Sequence, residues 1–240
     1  KRDWSSDVCS SDLQQISTFL DAGDILIDGG NSHFLDTHRR EYELEKSGIL
    51  FIGIGISGGE EGALTGPSMM IGGNRNAYSA IGPLMESISA KVEGVSCSGW
   101  LGTRGAGHFV KMVHNGIEYA DMQFIAEVYD LLTKIEGLGP SEIASLFEKW
   151  NKSLLNSYLM DVAVEVLRHI DVKTKKPFIQ IVRDQAAQKG TGKWTIETAA
   201  ELDSSVTSIS AAVNARMLSS DSLIRASIQS QLKPVSTTPV

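Results

Sequence analysis

Between residues 105 and 135 the chain carries the run KMVHNGIEY, in which Lys111, His114, Asn115, Glu118 and Tyr119 stand at offsets 0, 3, 4, 7 and 8. At about 100° per residue on an α-helix, those positions fall within an arc of roughly 140°. An amine able to act as a base, an imidazole, an amide, a carboxylic acid and a phenol would then line one face. Met122 and Ala126 continue that stripe, while Phe109, Val113, Ile117 and Leu131 supply apolar contact elsewhere. A long solvated helix with a polar face is the competing account of the same spacing. The rest of the chain decides between them.

The composition is that of an ordinary globular protein: 240 residues, 42% hydrophobic and 21% charged, enough for one large domain or two smaller ones. The longest apolar run, residues 49–56, is broken by glycines and too short to span a bilayer. No secretory signal pattern opens the chain, and no membrane partner is expected. A net charge of −7 argues against nucleic acid as a partner. It leaves room for a phosphorylated substrate, because a site is set by its local cations. Cys9 and Cys97 cannot build a disulfide framework, which makes a reducing cytoplasm the simplest setting. The five histidines are scattered away from Cys, Asp and Glu, so a metal-free mechanism is expected.

Residues 1–12, KRDWSSDVCSSD, show neither helical nor strand periodicity and read as a non-native or disordered leader. From residue 13 the pattern alternates. A helix end is stopped by Gly23; residues 24–28 form a short buried strand, and Gly29-Gly30-Asn31-Ser32 a turn. Residues 36–47 make a charged helix closed by Gly48, residues 50–57 a second strand, residues 69–71 a third, and residues 76–89 another helix. Strands alternating with helices imply parallel βαβ units, a Rossmann-like sheet that hosts ligands at strand carboxyl ends. No G-x-G-x-x-G links a strand to a helix here, since Gly53-Ile54-Gly55 lies inside a strand-like run. The first βαβ unit of such a domain is therefore expected to be missing.

After Trp100 helical periodicity dominates: residues 105–135, then 141–150 with Ser141 as N-cap, then 154–169. Residues 178–187 and 195–202 read as further helices around a glycine-rich loop at 188–193, and residues 223–231 as another. The expected organisation is α/β followed by all-α: a leader at 1–12, a partial nucleotide-binding domain at 13–98, and a partial all-helical domain at 99–240.

Four motifs in order carry a family resemblance: DGGNS at Asp28, SGGEEGA at Ser57, GAGHFVKMVHNGIEY at Gly105 and QKGTGKW at Gln188. Together they resemble 6-phosphogluconate dehydrogenase, from about residue 13 to residue 234. The resemblance implies oxidation of 6-phosphogluconate by NADP, with NAD not excluded, then loss of carbon dioxide to give ribulose 5-phosphate. It implies a cytoplasmic homodimer whose helical domains bury apolar faces between subunits.

Carried over by motif, Lys111 would be the base that takes the hydroxyl proton and then, as ammonium, steadies the keto oxygen. Glu118 would be the proton donor, which needs a dry surrounding to hold its proton. His114, Asn115, Ser57, Gly58 and Gly59 would contact substrate, and Asn31 both substrate and cofactor. Tyr119, Lys189, Thr191 and Arg216 would hold the phosphate, Lys189 rather than Lys193 by the family register. The bland readings are a tight turn at Ser57, a satisfied core histidine at His114, a turn asparagine at Asn31 and solvated surface charges elsewhere. In the family the partner subunit's carboxyl-terminal part adds an arginine and a histidine, so the 240-residue segment alone is expected to be inactive. The rival readings are a 3-hydroxyisobutyrate-like β-hydroxyacid dehydrogenase, which lacks QKGTGKW and the acid at Glu118, and a non-catalytic anion-binding fragment.

Overall fold

The computed structural model describes residue 13 and residues 15–232, so the readings of residues 1–12 and 234–240 fall outside the described residues. The chain divides into two compact units, one running to His114 and the other from Asn115.

In the first unit β1 (Ile25–Asp28) leads into α1 (Phe34–Glu45) and β2 (Leu50–Ser57). A short α2 (Gly59–Thr65), β3 (Ser68–Gly73) and α3 (Arg75–Ile88) follow. A small hairpin, β4 (Lys91–Val92) and β5 (Val95–Ser96), precedes β6 (Ser98–Gly102) and the long α4 (Ala106–Lys134). The strands order as β1-β2-β3-β6. Parallel pairing joins β1 to β2, as expected, and β3 to β6, a strand with no counterpart among the three expected ones. The middle pair, β2 with β3, is antiparallel. Its cause is the short connection: α2 covers about 10 Å, whereas returning to the start of β2 for a parallel crossover would need about 26 Å. The sheet also continues to Gly102, beyond the expected end of the α/β part at residue 98, because β6 pairs with β3. Its core is Ile52, Ile54, Met69, Ile71, Ala77 and Met85.

In the second unit the later part of α4 is followed by α5 (Pro140–Trp150) and α6 (Tyr158–Arg168), which pack around buried Ile143, Phe147, Met160 and Leu167. The N-cap of α5 is Gly139 rather than Ser141: Pro140 takes the first helical position and the Glu142 carboxylate accepts from the Gly139 N–H at 2.8 Å. The next helix starts at Tyr158, not near residue 154. Buried Asn151 holds the intervening loop, accepting from the Ser157 N–H at 2.8 Å and donating to Asp161 at 2.6 Å.

Residues 178–187 were expected to be helical, and only a single 3₁₀ turn, Phe178–Gln180, forms. Side chains from later in the chain hold the segment instead, two of them through its backbone at Ala186 and Ala187. Ser219 accepts from the Ala186 N–H at 3.0 Å, Arg216 donates to the Ala187 carbonyl at 2.7 Å, and Asp184 pairs with Arg225 at 2.6 Å. Then come α7 (Thr191–Glu201), α8 (Thr207–Ser220) and α9 (Ser222–Gln231). Part of the expected glycine-rich loop, from Thr191 on, is thus the first turn of α7, with Gly190 at φ 91° as its left-handed cap. Helix α8 had no counterpart in the sequence reading. Its residues are mostly small and weakly periodic, and it is held by Ile209, Ala212 and Val213 being buried. No helix among the described residues is long and apolar enough to cross a membrane.

Candidate active site

Helix α4 begins against a strip of sheet that lacks side chains. A β-carbon on Gly55 would fall 2.2 Å from Cβ of Lys111, and one on Gly53 would fall 3.0 Å from Nδ1 of His108. A β-carbon on Gly107 would overlap the Met70 and Gly53 carbonyls at 2.4 and 2.5 Å. Alternate residues of a strand share a face, so Gly53, Gly55 and Ser57 form one row under the helix. The I-G-I-G run of β2, which did not fit a nucleotide fingerprint, is therefore a docking track. It brings Lys111, half-buried, alongside the strand that ends at Ser57.

Lys111 reaches the loop after β1, where its Nζ donates to Oδ1 of Asn31 at 2.5 Å. That loop is braced from Asp28, the last residue of β1. One carboxylate oxygen accepts from the Gly30 N–H at 2.9 Å, and the other accepts from Ser32 Oγ at 2.7 Å and from Arg40 at 3.4 Å. After Ser57 the backbone turns through Gly58 at φ 142° and Gly59 at φ 58°, the second of which opens α2. A β-carbon at Gly58 would lie 2.9 Å from Gly62 Cα, so this turn excludes a side chain on two grounds. Glu60 and Glu61 stand exposed in the first turn of α2.

In the second unit five of the expected residues converge. The guanidinium of Arg216 lies 3.9 Å from the centre of the Tyr119 ring, and the Tyr119 hydroxyl accepts from the Lys189 N–H at 3.4 Å. Gly192 leaves room for that ring, since a β-carbon there would be 2.8 Å from its edge. Asn115 Nδ2 is 3.5 Å from the hydroxyl of Thr191, the buried first residue of α7. An arginine, the Lys189 backbone N–H, a helix N-terminus and two hydroxyls gathered in this way suit an anion. Lys193, the other lysine of the motif, instead pairs with Glu197 at 3.4 Å along the exposed face of α7.

His114 and Glu118 are half-buried on α4, which runs unbroken from Lys111 past Tyr119. The helical spacing of the five polar side chains therefore stands. Two structural partners lay outside the sequence reading. His108, 2% exposed, has Nδ1 2.7 Å from the Thr37 hydroxyl, and burial pushes its imidazole below the usual histidine range. The second is the Arg40–Asp28 ion pair, nearly closed to solvent. The available signals were faint: His108 stands one helical turn before Lys111, and Thr37 and Arg40 are three apart on α1.

Two family models match the chain. One, described as the NAD binding domain of 6-phosphogluconate dehydrogenase, covers residues 5–102; the other, 6-phosphogluconate dehydrogenase, C-terminal domain, covers residues 107–239. The chain is 50% identical over 210 residues to the decarboxylating 6-phosphogluconate dehydrogenase of Synechococcus elongatus, covering 87% of this chain and 45% of that protein. It is also 50% identical over 208 residues to the NAD(+)-dependent decarboxylating enzyme of Bacillus subtilis, covering 87% and 44%. Among solved structures, Plasmodium falciparum 6-phosphogluconate dehydrogenase, described in its apo form and in complexes with NADP+ and with 6-phosphogluconate, matches with a TM-score of 0.90 at 33% identity. That match covers 98% of this chain and 51% of the other. The chain thus spans about half the length of the curated relatives it matches.

Proposed function

Because the chain belongs to the 6-phosphogluconate dehydrogenase family, we propose that it carries the proton-transfer and phosphate-binding groups of an enzyme converting 6-phosphogluconate to ribulose 5-phosphate and carbon dioxide. The observation that carries this reading is the single helix α4. It presents a lysine held by Asn31, then a histidine, an asparagine and a glutamic acid, and ends that stripe at a tyrosine stacked on an arginine.

In this reading Lys111 takes the proton of the hydroxyl on carbon 3. When bound, NADP supplies the hydride acceptor for that carbon; NAD is the alternative, as in the Bacillus subtilis relative. The carboxyl end of β1 suits the nicotinamide end of such a group. Gly29 and Gly30 offer bare backbone there, and Asn31 offers an amide beside the lysine. The ammonium of Lys111 then steadies the keto oxygen as carbon dioxide departs and charge gathers on it. Glu118 delivers a proton to carbon 1 of the enediol. His114, Asn115 and the Ser57-Gly58-Gly59 turn hold the hydroxyl and carboxylate oxygens of the sugar acid. Tyr119, Lys189, Thr191 and Arg216 bind its phosphate.

The assembled enzyme is a cytoplasmic homodimer in this proposal. Exposed Phe124, Leu131, Leu154 and Leu155 in the second unit supply apolar surface for the partner.

The test joins this chain to the flanking segments of the Synechococcus elongatus relative and follows nicotinamide reduction. Turnover is expected with 6-phosphogluconate and not with 3-hydroxyisobutyrate; the reverse preference would favour the rival dehydrogenase. Lys111→Met should lower kcat by about 100- to 10,000-fold while 6-phosphogluconate still binds. Near-normal turnover would remove Lys111 from the base role.

A further inference from the structure

We propose that buried His108 and Thr37, together with the Asp28–Arg40 ion pair, form a positioning layer that fixes Asn31 against Lys111. The proposal deepens the functional reading above by naming what sets its proton-transfer lysine, and all its parts lie in the first unit.

Asn31 and Lys111 come from a loop and a helix 80 residues apart, and neither could by itself hold the short contact between them. Long lysine side chains lose considerable rotamer freedom when held in one place. Something must therefore fix both ends.

On the helix side, His108 precedes Lys111 by one turn and is sunk into the space left by Gly53. Its Nδ1 meets the Thr37 hydroxyl at 2.7 Å, and that hydroxyl is also 3.3 Å from the His33 carbonyl. Thr37 is fully buried on α1. The pair thus locks the first turns of α4 to the start of α1.

On the loop side, the same helix α1 supplies Arg40, one turn after Thr37. Its guanidinium reaches both Asp28 and Ser32 at 3.4 Å, with Arg40 and Asp28 4% and 9% exposed. Asp28 in turn fixes Gly30 and Ser32, the two neighbours of Asn31. One helix therefore ties down the loop bearing the acceptor and the helix bearing the donor. Removing one partner of a buried ion pair strands the other charge away from water, and that cost keeps the loop in a single arrangement.

The experiment uses the 240-residue chain and needs no turnover. Lysines are pulse-labelled with acetic anhydride, and the rate at Lys111 is read by mass spectrometry relative to Lys46 and Lys91 of the same unit. Asn31→Ala sets the rate for full loss of the contact. Thr37→Val, nearly the same shape without the hydroxyl, should raise the Lys111 ratio on the order of five-fold, the equivalent of one net hydrogen bond. Thr37→Ser should restore it. Asp28→Asn, which weakens the loop side alone, should raise it similarly. A Lys111 ratio unchanged in both Thr37→Val and Asp28→Asn overturns the proposal, as does a rise spread over all three lysines. Because labelling does not depend on catalysis, this result stands apart from whether 6-phosphogluconate is the substrate.

Discussion

Arg216 shows how one side chain can be committed on two surfaces at once. Its flat face lies over Tyr119 while one nitrogen donates to the Ala187 carbonyl, so the loop before Lys189 is anchored by the same group expected to meet a phosphate. A guanidinium can do this because its charge is spread over a plane with donors around its edge. A lysine would keep the charge and lose both the stacking and the fork. In the completed enzyme, Arg216→Lys should weaken 6-phosphogluconate binding by about 10- to 100-fold, the range for a lost charge-assisted hydrogen bond. Titration calorimetry reads that change, and unaltered binding would remove Arg216 from the phosphate site. Motif resemblance was enough to single out Arg216, Lys189 and Tyr119. The stacking of Arg216 on Tyr119 and the Lys189 N–H bond to the same phenol were not legible, because the three positions are far apart in sequence and only the folded second unit joins them.

At the scale of elements, the decisive contact is backbone to backbone. Gly53, Gly55 and Gly72 on the sheet face Gly107 and neighbouring atoms of α4 so closely that no β-carbon fits between them. This close approach sets how deep the helix lies and hence where Lys111 emerges. Gly107→Ala should destabilise the first unit by about 3 kcal/mol or more, since the overlapping atoms are carbonyls and an amide that cannot rotate aside. Thermal or urea unfolding would measure it, and a loss below about 0.5 kcal/mol, the scale of an ordinary surface change, would contradict the close-packed account. Strand β2 was recognisable from its apolar run, yet its glycines could equally mark bulges or a nucleotide turn. Their purpose depends on a helix that begins some fifty residues later. The antiparallel β2–β3 pair was hidden for a related reason: alternating elements suggest parallel strands, and the short α2 connection overrode that pattern. Helix α8 leaves little trace in the sequence because small residues give a weak periodic signal.

For the molecule as a whole, the buried histidine sets a pH dependence of stability. His108 is held below the usual histidine range by burial, so on falling pH the unfolded chain takes up a proton first, near pH 6.5. Stability of the first unit should therefore be intact above that point and decline as pH drops through it toward the lower folded-state value. Glu41, raised mainly by burial, acts in the opposite sense: its contribution is present at low pH and is lost as pH rises above the ordinary carboxylate range. His108→Gln should flatten the melting temperature between about pH 6.5 and pH 5, as followed by calorimetry. An unchanged slope would mean that another group governs it. The amino-acid sequence alone determined the inventory of reactive groups, their spacing on one helix, the alternation of strand and helix followed by helices, and the family to which the motifs point. These are matters of local periodicity and of short motifs, which neighbouring residues settle among themselves. Only the tertiary structure decided that Asn31 meets Lys111, that Arg216 lies on Tyr119, and that His108 and Thr37 lie buried beneath the loop. Those contacts join residues 71 to 97 positions apart, and they exist because packing and desolvation act on whichever surfaces the fold brings together.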